Sequence, residues 1–266
     1  MVLFDNHTHS CYSVDSITPL DEAVDFAKRR GLGGICFSEH YDFDVPEGTL
    51  SYKFDPIEQQ KAIDEMILQS GFNILKGVEV GMQPHCIDEM EELVSSYNFD
   101  SVIGSLHFID GTDPFHGNYY IPYNYKAAYG HYLEVIDRCI SGFDNFDILG
   151  HFDYIARYAP YPECSITYSE FGDQLDSILK RLAQNGKTFE INTKTYLNVN
   201  GRQPVLDPML LIRFREFGGE FISFGSDAHE KERIGENFEL FVPMIKSCGI
   251  RYSVHYEKRR AVPTPL

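Results

Sequence analysis

Six short apolar runs in this sequence each lead into histidine, aspartate or glutamate. The first run, Val2-Leu3-Phe4, is followed by Asp5-Asn6-His7-Thr8-His9. Residues two apart in an extended strand point to the same side, so this pair of histidines can hold one metal ion together. Alone, the pair is equally consistent with two unrelated surface histidines. Five further runs repeat the pattern: Ile35–His40, Ile74–Glu79, Val102–His107, Ile148–His151 and Phe221–His229. Metal-binding side chains gathered at strand ends are what the active site of an α/β barrel requires.

Segments with helical periodicity separate these strands. Thr18-Pro19 predicts an N-cap and a first-turn proline, and Gly31 predicts the end of that helix. The other predicted helices are Pro56–Gln69 with Gly71, Glu89–Tyr97, Tyr125–Ile140 with Gly142, Ser169–Gln184 with Gly186, Pro208–Phe217 with Gly218 and Phe238–Ser247 with Gly249. Lys187–Ile191 is a further candidate strand, and Arg251–His255 is an eighth or a peripheral one.

The alternation of strands and helices predicts an α/β fold with a parallel sheet, and seven or eight units in one domain favour closure into a barrel. An open doubly wound sheet is the alternative. The G-x-G-x-x-G fingerprint of dinucleotide folds does not follow the first strand, which removes the main signal for that alternative.

The chain has 266 residues, 43% of them hydrophobic, which suffices for one large barrel or two small domains. The sequence contains no linker rich in proline, glycine or serine, so we expect one domain over residues 1–266. No apolar run has the length of a membrane span. A cleaved signal peptide is not expected, because the candidate ligands begin at Asp5. The six scattered cysteines form no C-x-x-C pair and predict reduced packing residues in a cytoplasmic protein.

The net charge of -17 disfavours nucleic acid as a partner, because proteins that bind a phosphate backbone usually carry basic patches. A small substrate is favoured instead. Bound divalent cations would offset the acidity locally, so a small phosphate ester could still be attracted to the site itself. The sequence does not indicate an oligomeric state.

Nine candidate ligands fit the strand-end pattern, and all of them offer nitrogen or oxygen: His7, His9, Asp15, His40, Glu79, His107, His151, Asp227 and His229. A set without thiolate suits zinc, manganese or iron and points to chemistry instead of a structural zinc site. Glu79 follows a strand that is predicted to be buried, and its two oxygens could bridge two ions.

The assembled motifs resemble the polymerase and histidinol phosphatase (PHP) superfamily of metal hydrolases, and within it the monofunctional histidinol phosphatases. The resemblance covers nearly the whole chain. The motifs that carry it are Asp5–His9, Ser38-Glu39-His40, Gly77–Gly81, Gly104–His107, Leu149-Gly150-His151 and Gly225–His229. It implies an irregular (β/α)7 barrel with the metal site at the C-terminal ends of the strands.

The resemblance also divides the ligands over three divalent ions. His7, His9, Glu79 and Asp227 would hold the first ion, Glu79, His107 and His151 the second, and Asp15, His40 and His229 the third. Two ions about 3.5–4 Å apart produce a bridging hydroxide, which would attack phosphorus. Glu79, Asp227 and His229 are the expected catalytic residues. Some relatives have histidine in place of Asp15, which affects which third metal binds and how tightly.

Arg157 and Arg202 are candidates for neutralising phosphoryl oxygens, for which a planar guanidinium is well shaped. Either arginine could equally lie on the surface. Glu39 is grouped with them as a substrate-binding residue, and Glu39 or Asp153 could protonate the leaving alkoxide. Relatives of this size often carry Asn-Thr-Ser-Gly followed by arginine, whereas this chain has Asn192-Thr193-Lys194-Thr195-Tyr196.

The expected activity is hydrolysis of L-histidinol phosphate to L-histidinol and phosphate, a step of histidine biosynthesis. The difference at Asn192–Tyr196 puts the substrate pocket in doubt, so another small phosphate ester is the first alternative. A non-catalytic metal-binding module is the second. The loop Gly111–Gly117, which precedes Tyr119 and Tyr120, is a candidate lid.

Overall fold

The computed structural model describes residues 2–47, 49–199 and 201–266. These residues form nine strands: β1 Phe4–Thr8, β2 Gly34–Asp42, β3 Ile74–Gly81, β4 Ser101–Ser105, β5 Ile148–Leu149, β6 Thr188–Asn192, β7 Phe221–Gly225, β8 Tyr252–Glu257 and β9 Arg260–Pro265. Their α-helices are α1 Leu20–Arg29, α2 Pro56–Ser70, α3 Ile87–Ser96, α4 Tyr125–Gly142, α5 Tyr154–Tyr158, α6 Tyr168–Gln184, α7 Pro208–Glu216 and α8 Phe238–Ser247.

The strands lie in one sheet in sequence order, and β1 to β8 are parallel. The segment after β7 pairs with β1. The Asp227 amide donates to the His7 carbonyl at 2.8 Å, and the His9 amide donates to the Ala228 carbonyl at 2.9 Å. These bonds close seven strands into a ring at their carboxyl ends. The expected irregular (β/α)7 barrel is therefore confirmed, and the open doubly wound alternative is wrong.

The strand β8 continues the sheet beyond β7 instead of joining the ring at its carboxyl end. The Asn6 side chain donates to the Val254 carbonyl at 3.0 Å, and the Phe4 ring stacks on His255 with centroids 3.6 Å apart. Sequence reasoning allowed β8 as an eighth or peripheral strand but missed β9, which pairs antiparallel with it. Lys258 and Arg259 make the connecting turn with positive φ, a conformation usually signalled by Asn-Gly.

Helix signals in the sequence were mostly correct. The Asp55 carboxylate caps α2 by accepting from the Ile57 and Glu58 amides, and Gly71 ends that helix in the left-handed conformation. Two signals were wrong. The Thr18 hydroxyl donates to the His229 carbonyl instead of capping α1, and Gly142 is the last residue of α4 instead of a left-handed residue beyond it.

Helices cover the outside of the sheet and seal its apolar side chains. Phe224 of β7 stacks on Phe238 of α8 with centroids 5.0 Å apart, and both are buried. All the strands share one sheet, in agreement with one domain over residues 1–266, which stays a prediction. Within the described part of the chain, no helix is both long and apolar enough to cross a membrane.

Close packing between β7 and the strands beside it explains Gly225, the last residue of β7. A Cβ atom there would lie 2.2 Å from Glu190 Oε1 and 2.6 Å from the His7 Cβ. We expect Gly225→Ala to lower the free energy of unfolding by about 1–3 kcal/mol, because neither buried neighbour can move freely.

The matched control is Gly172→Ala, on α6, where a Cβ would meet its nearest atom at 3.6 Å. This substitution should change the free energy of unfolding by less than about 0.5 kcal/mol, because the added Cβ meets only ordinary van der Waals contacts. Urea unfolding followed by circular dichroism measures both values. Equal stability of the two variants would contradict the packing argument.

Candidate metal centre

The nine predicted ligand side chains meet at the carboxyl-terminal mouth of the barrel. His7 lies on β1, His40 on β2 and Glu79 on β3, while the other six lie in the segments that follow β1, β4, β5 and β7. The in-register pairing of β2 and β3 sets His40 opposite Glu79. Asp227 has a positive φ of 51°, which an aspartate tolerates better than most residues. The ring of strands thus brings together side chains that are distant in sequence.

The fully buried Glu79 carboxylate lies at the centre of the group. Its Oε1 is 2.7 Å from His151 Nε2 and 3.1 Å from His107 Nε2. Its Oε2 is 2.9 Å from His40 Nδ1, 3.2 Å from His7 Nε2 and 3.5 Å from His9 Nε2. The two oxygens therefore face two different sets of imidazoles, as a bridging carboxylate would.

Several of these atoms are buried and close together without forming hydrogen bonds. His7 Nε2, His9 Nε2, His40 Nδ1 and Glu79 Oε2 have no hydrogen-bond partner within the described residues. An unsatisfied buried polar atom costs about 1–3 kcal/mol, so four of them converging on one point call for a common partner. A cation coordinated by nitrogen and oxygen is such a partner. The residues present therefore fit a metal ion.

A second group of ligand atoms lies nearer the solvent. Asp15 Oδ2 is 3.1 Å from His229 Nε2 and 3.5 Å from His40 Nε2, and the two imidazole nitrogens are 3.3 Å apart. Asp227 Oδ1 lies between the groups, 3.5 Å from His9 Nε2. This cluster of histidine, aspartate and glutamate could bind metal ions.

Carboxylates behind the imidazoles fix which ring nitrogen faces the centre. His7 Nδ1 donates to Glu190 at 2.7 Å, and His107 Nδ1 donates to Asp42 at 2.9 Å. Both bonds leave Nε2 free toward Glu79, and such partners orient metal-binding histidines. Sequence reasoning missed both residues. Asp42 lies two positions after His40, and this same-face spacing was an available signal, whereas Glu190 lies inside an apolar strand without one.

Charges within the centre are strongly coupled. Burial alone would raise the pKa of Glu79, but the neighbouring imidazoles of His7, His107 and His40 outweigh burial and hold this pKa well below its usual value. Conversely, burial would lower the pKa of His40, but the carboxylates of Glu79 and Asp15 raise it to about 10. The ionised carboxylates thus require positive charge nearby. Protons on His7, His40 and His107, whose pKa values the neighbouring carboxylates raise against burial, supply it in the metal-free protein, so metal binding must release protons.

A cavity of about 340 Å³ opens over these ligands, within the usual size of small-molecule sites. Arg157 lines it and donates to Asp227 Oδ2, Asn192 Oδ1 and Thr195 Oγ1, each at 2.8 Å. Lys194 also lines the cavity, with Nζ 3.1 Å from Asp227 Oδ1 and 3.2 Å from His229 Nδ1. Sequence reasoning treated the Lys194 stretch only as a departure from a family motif and missed this cation.

Two expected substrate-binding residues lie outside that cavity. Arg202 donates to the Tyr161 carbonyl at 2.8 Å and lines a smaller neighbouring cavity that also reaches Arg157 and Lys194. Glu39 is buried behind the centre, where it accepts from the Ser10 amide and hydroxyl and the Ser13 hydroxyl. The structure therefore gives Glu39 a supporting position, without the expected access to substrate.

Asp153, the other candidate proton donor, is buried and accepts from the Tyr196 hydroxyl at 2.7 Å. It does not line the cavity, as far as the described residues define it. The candidate lid loop does reach the cavity, through Asp113 and Phe115. Tyr119 and Tyr120, which follow this loop, are buried and donate to backbone carbonyls, as expected of packing residues.

Comparisons with known proteins agree on one family. The PHP domain model matches residues 5–194. A Clostridium acetobutylicum protein named "Probable histidinol-phosphatase" is 33% identical over 261 residues, which are 97% of this chain and 98% of that protein. Histidinol-phosphatase of Lactococcus lactis is 32% identical over 250 residues, which are 94% of this chain and 92% of that protein.

This chain is also similar to a solved structure in three dimensions. The crystal structure of histidinol phosphate phosphatase from Lactococcus lactis, complexed with zinc, L-histidinol and phosphate, matches with a TM-score of 0.87 and 30% identity. The match covers 98% of each chain.

The position of Glu190 behind His7 generates a prediction about metal affinity. We expect Glu190→Gln to weaken zinc binding about 10- to 100-fold, because the substitution removes the carboxylate that fixes the His7 tautomer. Glu257→Gln is the control, since Glu257 is exposed and lies 3.2 Å from His255 at the other end of the molecule. Titration against a competing chelator measures both affinities. Unchanged zinc affinity in Glu190→Gln would contradict the role of Glu190 in orienting His7.

Proposed function

The chain belongs to the PHP domain family, and we propose that it hydrolyses L-histidinol phosphate to L-histidinol and phosphate. It is a hydrolase of phosphoric monoesters, similar along its whole length to histidinol-phosphatases. The proposal is carried by the match to the Lactococcus lactis structure, which was solved with zinc, L-histidinol and phosphate. The cavity above the candidate ligands supports it, because this cavity has the size for a small phosphate ester and has Arg157 and Lys194 on its wall.

The proposed metal centre holds three divalent ions, which are zinc, manganese or iron. Support comes from the unpartnered atoms that converge from His7, His9 and Glu79, with Asp227 Oδ1 3.5 Å from His9 Nε2. It also comes from the face that Glu79 presents to His107 and His151, and from the group of Asp15, His40 and His229. Such ions lower the pKa of a bound water and neutralise charge on a phosphoryl group. Glu79, Asp227 and His229 would be catalytic residues by holding that charge in place.

The protein's own cations would orient the phosphate. Arg157 is fixed by three acceptors, so its guanidinium is held in one position at the cavity wall. Lys194 is 30% exposed and its ammonium can turn toward a ligand. A charge-assisted hydrogen bond from either cation to a phosphoryl oxygen contributes about 1.5–3 kcal/mol. We propose both as phosphate-binding residues.

Another small phosphate ester remains the second candidate, because the Asn192–Tyr196 stretch departs from the motif that the family resemblance implies and because Lys194 of this stretch lines the cavity. A polynucleotide is not proposed as a partner, given the net charge of -17. A cytoplasmic location is part of the proposal, since histidine biosynthesis takes place there.

Removal of metal provides the first test of the function. After exhaustive chelation, confirmed by elemental analysis, we expect hydrolysis of L-histidinol phosphate to stop and to return when zinc or manganese is restored. Rates on other biological phosphomonoesters, measured with the same metals, should give lower kcat/KM values. A clear preference for another ester would favour the second candidate. Full activity without metal would contradict the mechanism.

The cavity cations provide the second test. We expect Lys194→Met and Arg157→Met each to lower kcat/KM about 10- to 150-fold, the equivalent of one lost charge-assisted contact. Arg202→Met tests the earlier expectation for Arg202, and its effect should be smaller because its side chain lines only the neighbouring cavity. Inhibition by inorganic phosphate should weaken in parallel. A larger loss in Arg202→Met than in Lys194→Met would reverse the assignment.

A further inference from the structure

Four aspartates line the main cavity: Asp15, Asp42, Asp113 and Asp227. Three of them have cationic or imidazole partners. Asp15 faces His40 and His229, Asp42 faces His107, and Asp227 faces Arg157 and Lys194. Among the residues that the structure describes, Asp113 has no ion-pair partner, although it is half-buried. It is the aspartate of this cavity that no described lysine, arginine or histidine contacts within ion-pair distance.

The carboxylate of Asp113 is nevertheless held firmly. Its Oδ1 accepts from the Phe115 amide at 2.8 Å and from the Tyr154 hydroxyl at 3.0 Å. Its Oδ2 accepts no hydrogen bond from any described residue, so one oxygen is fixed and the other is available. Burial raises the pKa of Asp113 and outweighs the hydrogen bonds from Phe115 and Tyr154 and the imidazoles of His107 and His116, which lower it. A cationic ligand would stabilise its ionised form.

Aromatic side chains line the cavity together with this carboxylate. Tyr154 and Tyr158 lie with centroids 5.2 Å apart, and Phe115 packs edge-on against Tyr158 at 5.2 Å. The phenyl ring of Phe115 is 59% exposed at the mouth of the cavity. An ammonium group is attracted both to a carboxylate and to the faces of such rings. The surroundings of Asp113 therefore suit an organic cation better than a second phosphate.

Tyr154 also fixes where this corner lies relative to the metal ligands. Its ring centroid is 5.1 Å from that of His151 and 5.6 Å from that of His107, and the Arg157 guanidinium lies 5.3 Å from the ring. A phosphate held at the ligands and Arg157 would thus have Asp113 one side chain away. In L-histidinol phosphate, the ammonium is on the carbon next to the one that carries the ester oxygen.

We propose that Asp113 binds the substrate's ammonium group, so that the site selects phosphate esters of amino alcohols over neutral phosphate esters. This inference rests on the proposed phosphatase function and deepens it. Phosphate binding by Arg157 and Lys194 would then anchor one end of the substrate, and Asp113 would recognise its opposite charge. The aromatic rings of Phe115 and Tyr158 would cover the remainder of the alcohol.

The test compares substrates that differ only in the amine. L-histidinol phosphate is paired with its analogue in which hydrogen replaces the amino group, and ethanolamine phosphate is paired with ethyl phosphate. The variant is Asp113→Asn, which keeps an oxygen for the Phe115 amide and the Tyr154 hydroxyl. Asp110→Asn is the control, because Asp110 lies on the same loop and pairs with His131 at the surface.

We expect kcat/KM of Asp113→Asn on L-histidinol phosphate to fall about 10- to 150-fold, while its rate on the amine-free analogue changes little. Asp110→Asn should match the unmodified enzyme on both. Binding of L-histidinol to the metal-loaded protein, measured by calorimetry, should weaken in Asp113→Asn only. Equal losses on both members of a pair, or no loss at all, would overturn the role of Asp113.

The same assays distinguish failure of the proposed function from failure of ammonium recognition. If L-histidinol phosphate is a poor substrate but ethanolamine phosphate is preferred over ethyl phosphate through Asp113, the specific substrate is wrong and ammonium recognition stands. If the unmodified enzyme hydrolyses L-histidinol phosphate and its amine-free analogue equally well, the function stands and ammonium recognition is wrong.

Discussion

The buried carboxylate of Glu79 is the group on which the site depends. It lies within 3.5 Å of five imidazole nitrogens, which four different segments of the chain supply. Moving an ionised carboxylate out of water is costly unless compensating charge lies close by. Glu79 therefore requires a positive centre, and the surrounding histidines leave their free nitrogens pointed at the same place. The need for positive charge near the Glu79 carboxylate explains why these imidazoles gather at the mouth of the barrel.

Closure of the barrel brings the ligand side chains around Glu79 together. The backbone bonds between β1 and the segment after β7 place His7 and His9 beside Asp227. Asp5 strengthens the same junction, because its buried carboxylate accepts from the Ser226 amide and hydroxyl and from the Gly235 amide. Burial raises the pKa of Asp5 to about 6, so these bonds are maintained against a desolvation cost. An open sheet would separate the two ends and divide the ligands.

The sequence predicted which side chains gather at the mouth of the barrel, because most of them follow an apolar run and parallel strands bring their carboxyl ends to one edge. It predicted the supporting residues poorly. Glu190 lies inside β6, where nothing in the sequence distinguishes it from other buried positions, and Lys194 lies in a short turn whose direction depends on the fold. The same limit affects the expectations for Glu39 and Arg202. Their positions along the chain suggested contact with substrate, but side-chain direction in loops and strand ends is decided by tertiary packing.

Asp227 links the candidate metal centre to Arg157 and Lys194, the two cations of the cavity wall. Burial would raise its pKa, but Lys194 and Arg157 outweigh burial and hold the pKa well below its usual value. A cation that shares Asp227 would compete with these two side chains for the same carboxylate and leave them more available to a phosphoryl group. Phosphate bound to Arg157 and Lys194 would in turn favour the cation at Asp227, since such coupling is reciprocal. An enzyme with a net charge of -17 could therefore bind a phosphate ester, because Arg157 and Lys194 lie together on the wall of the cavity over the candidate ligands.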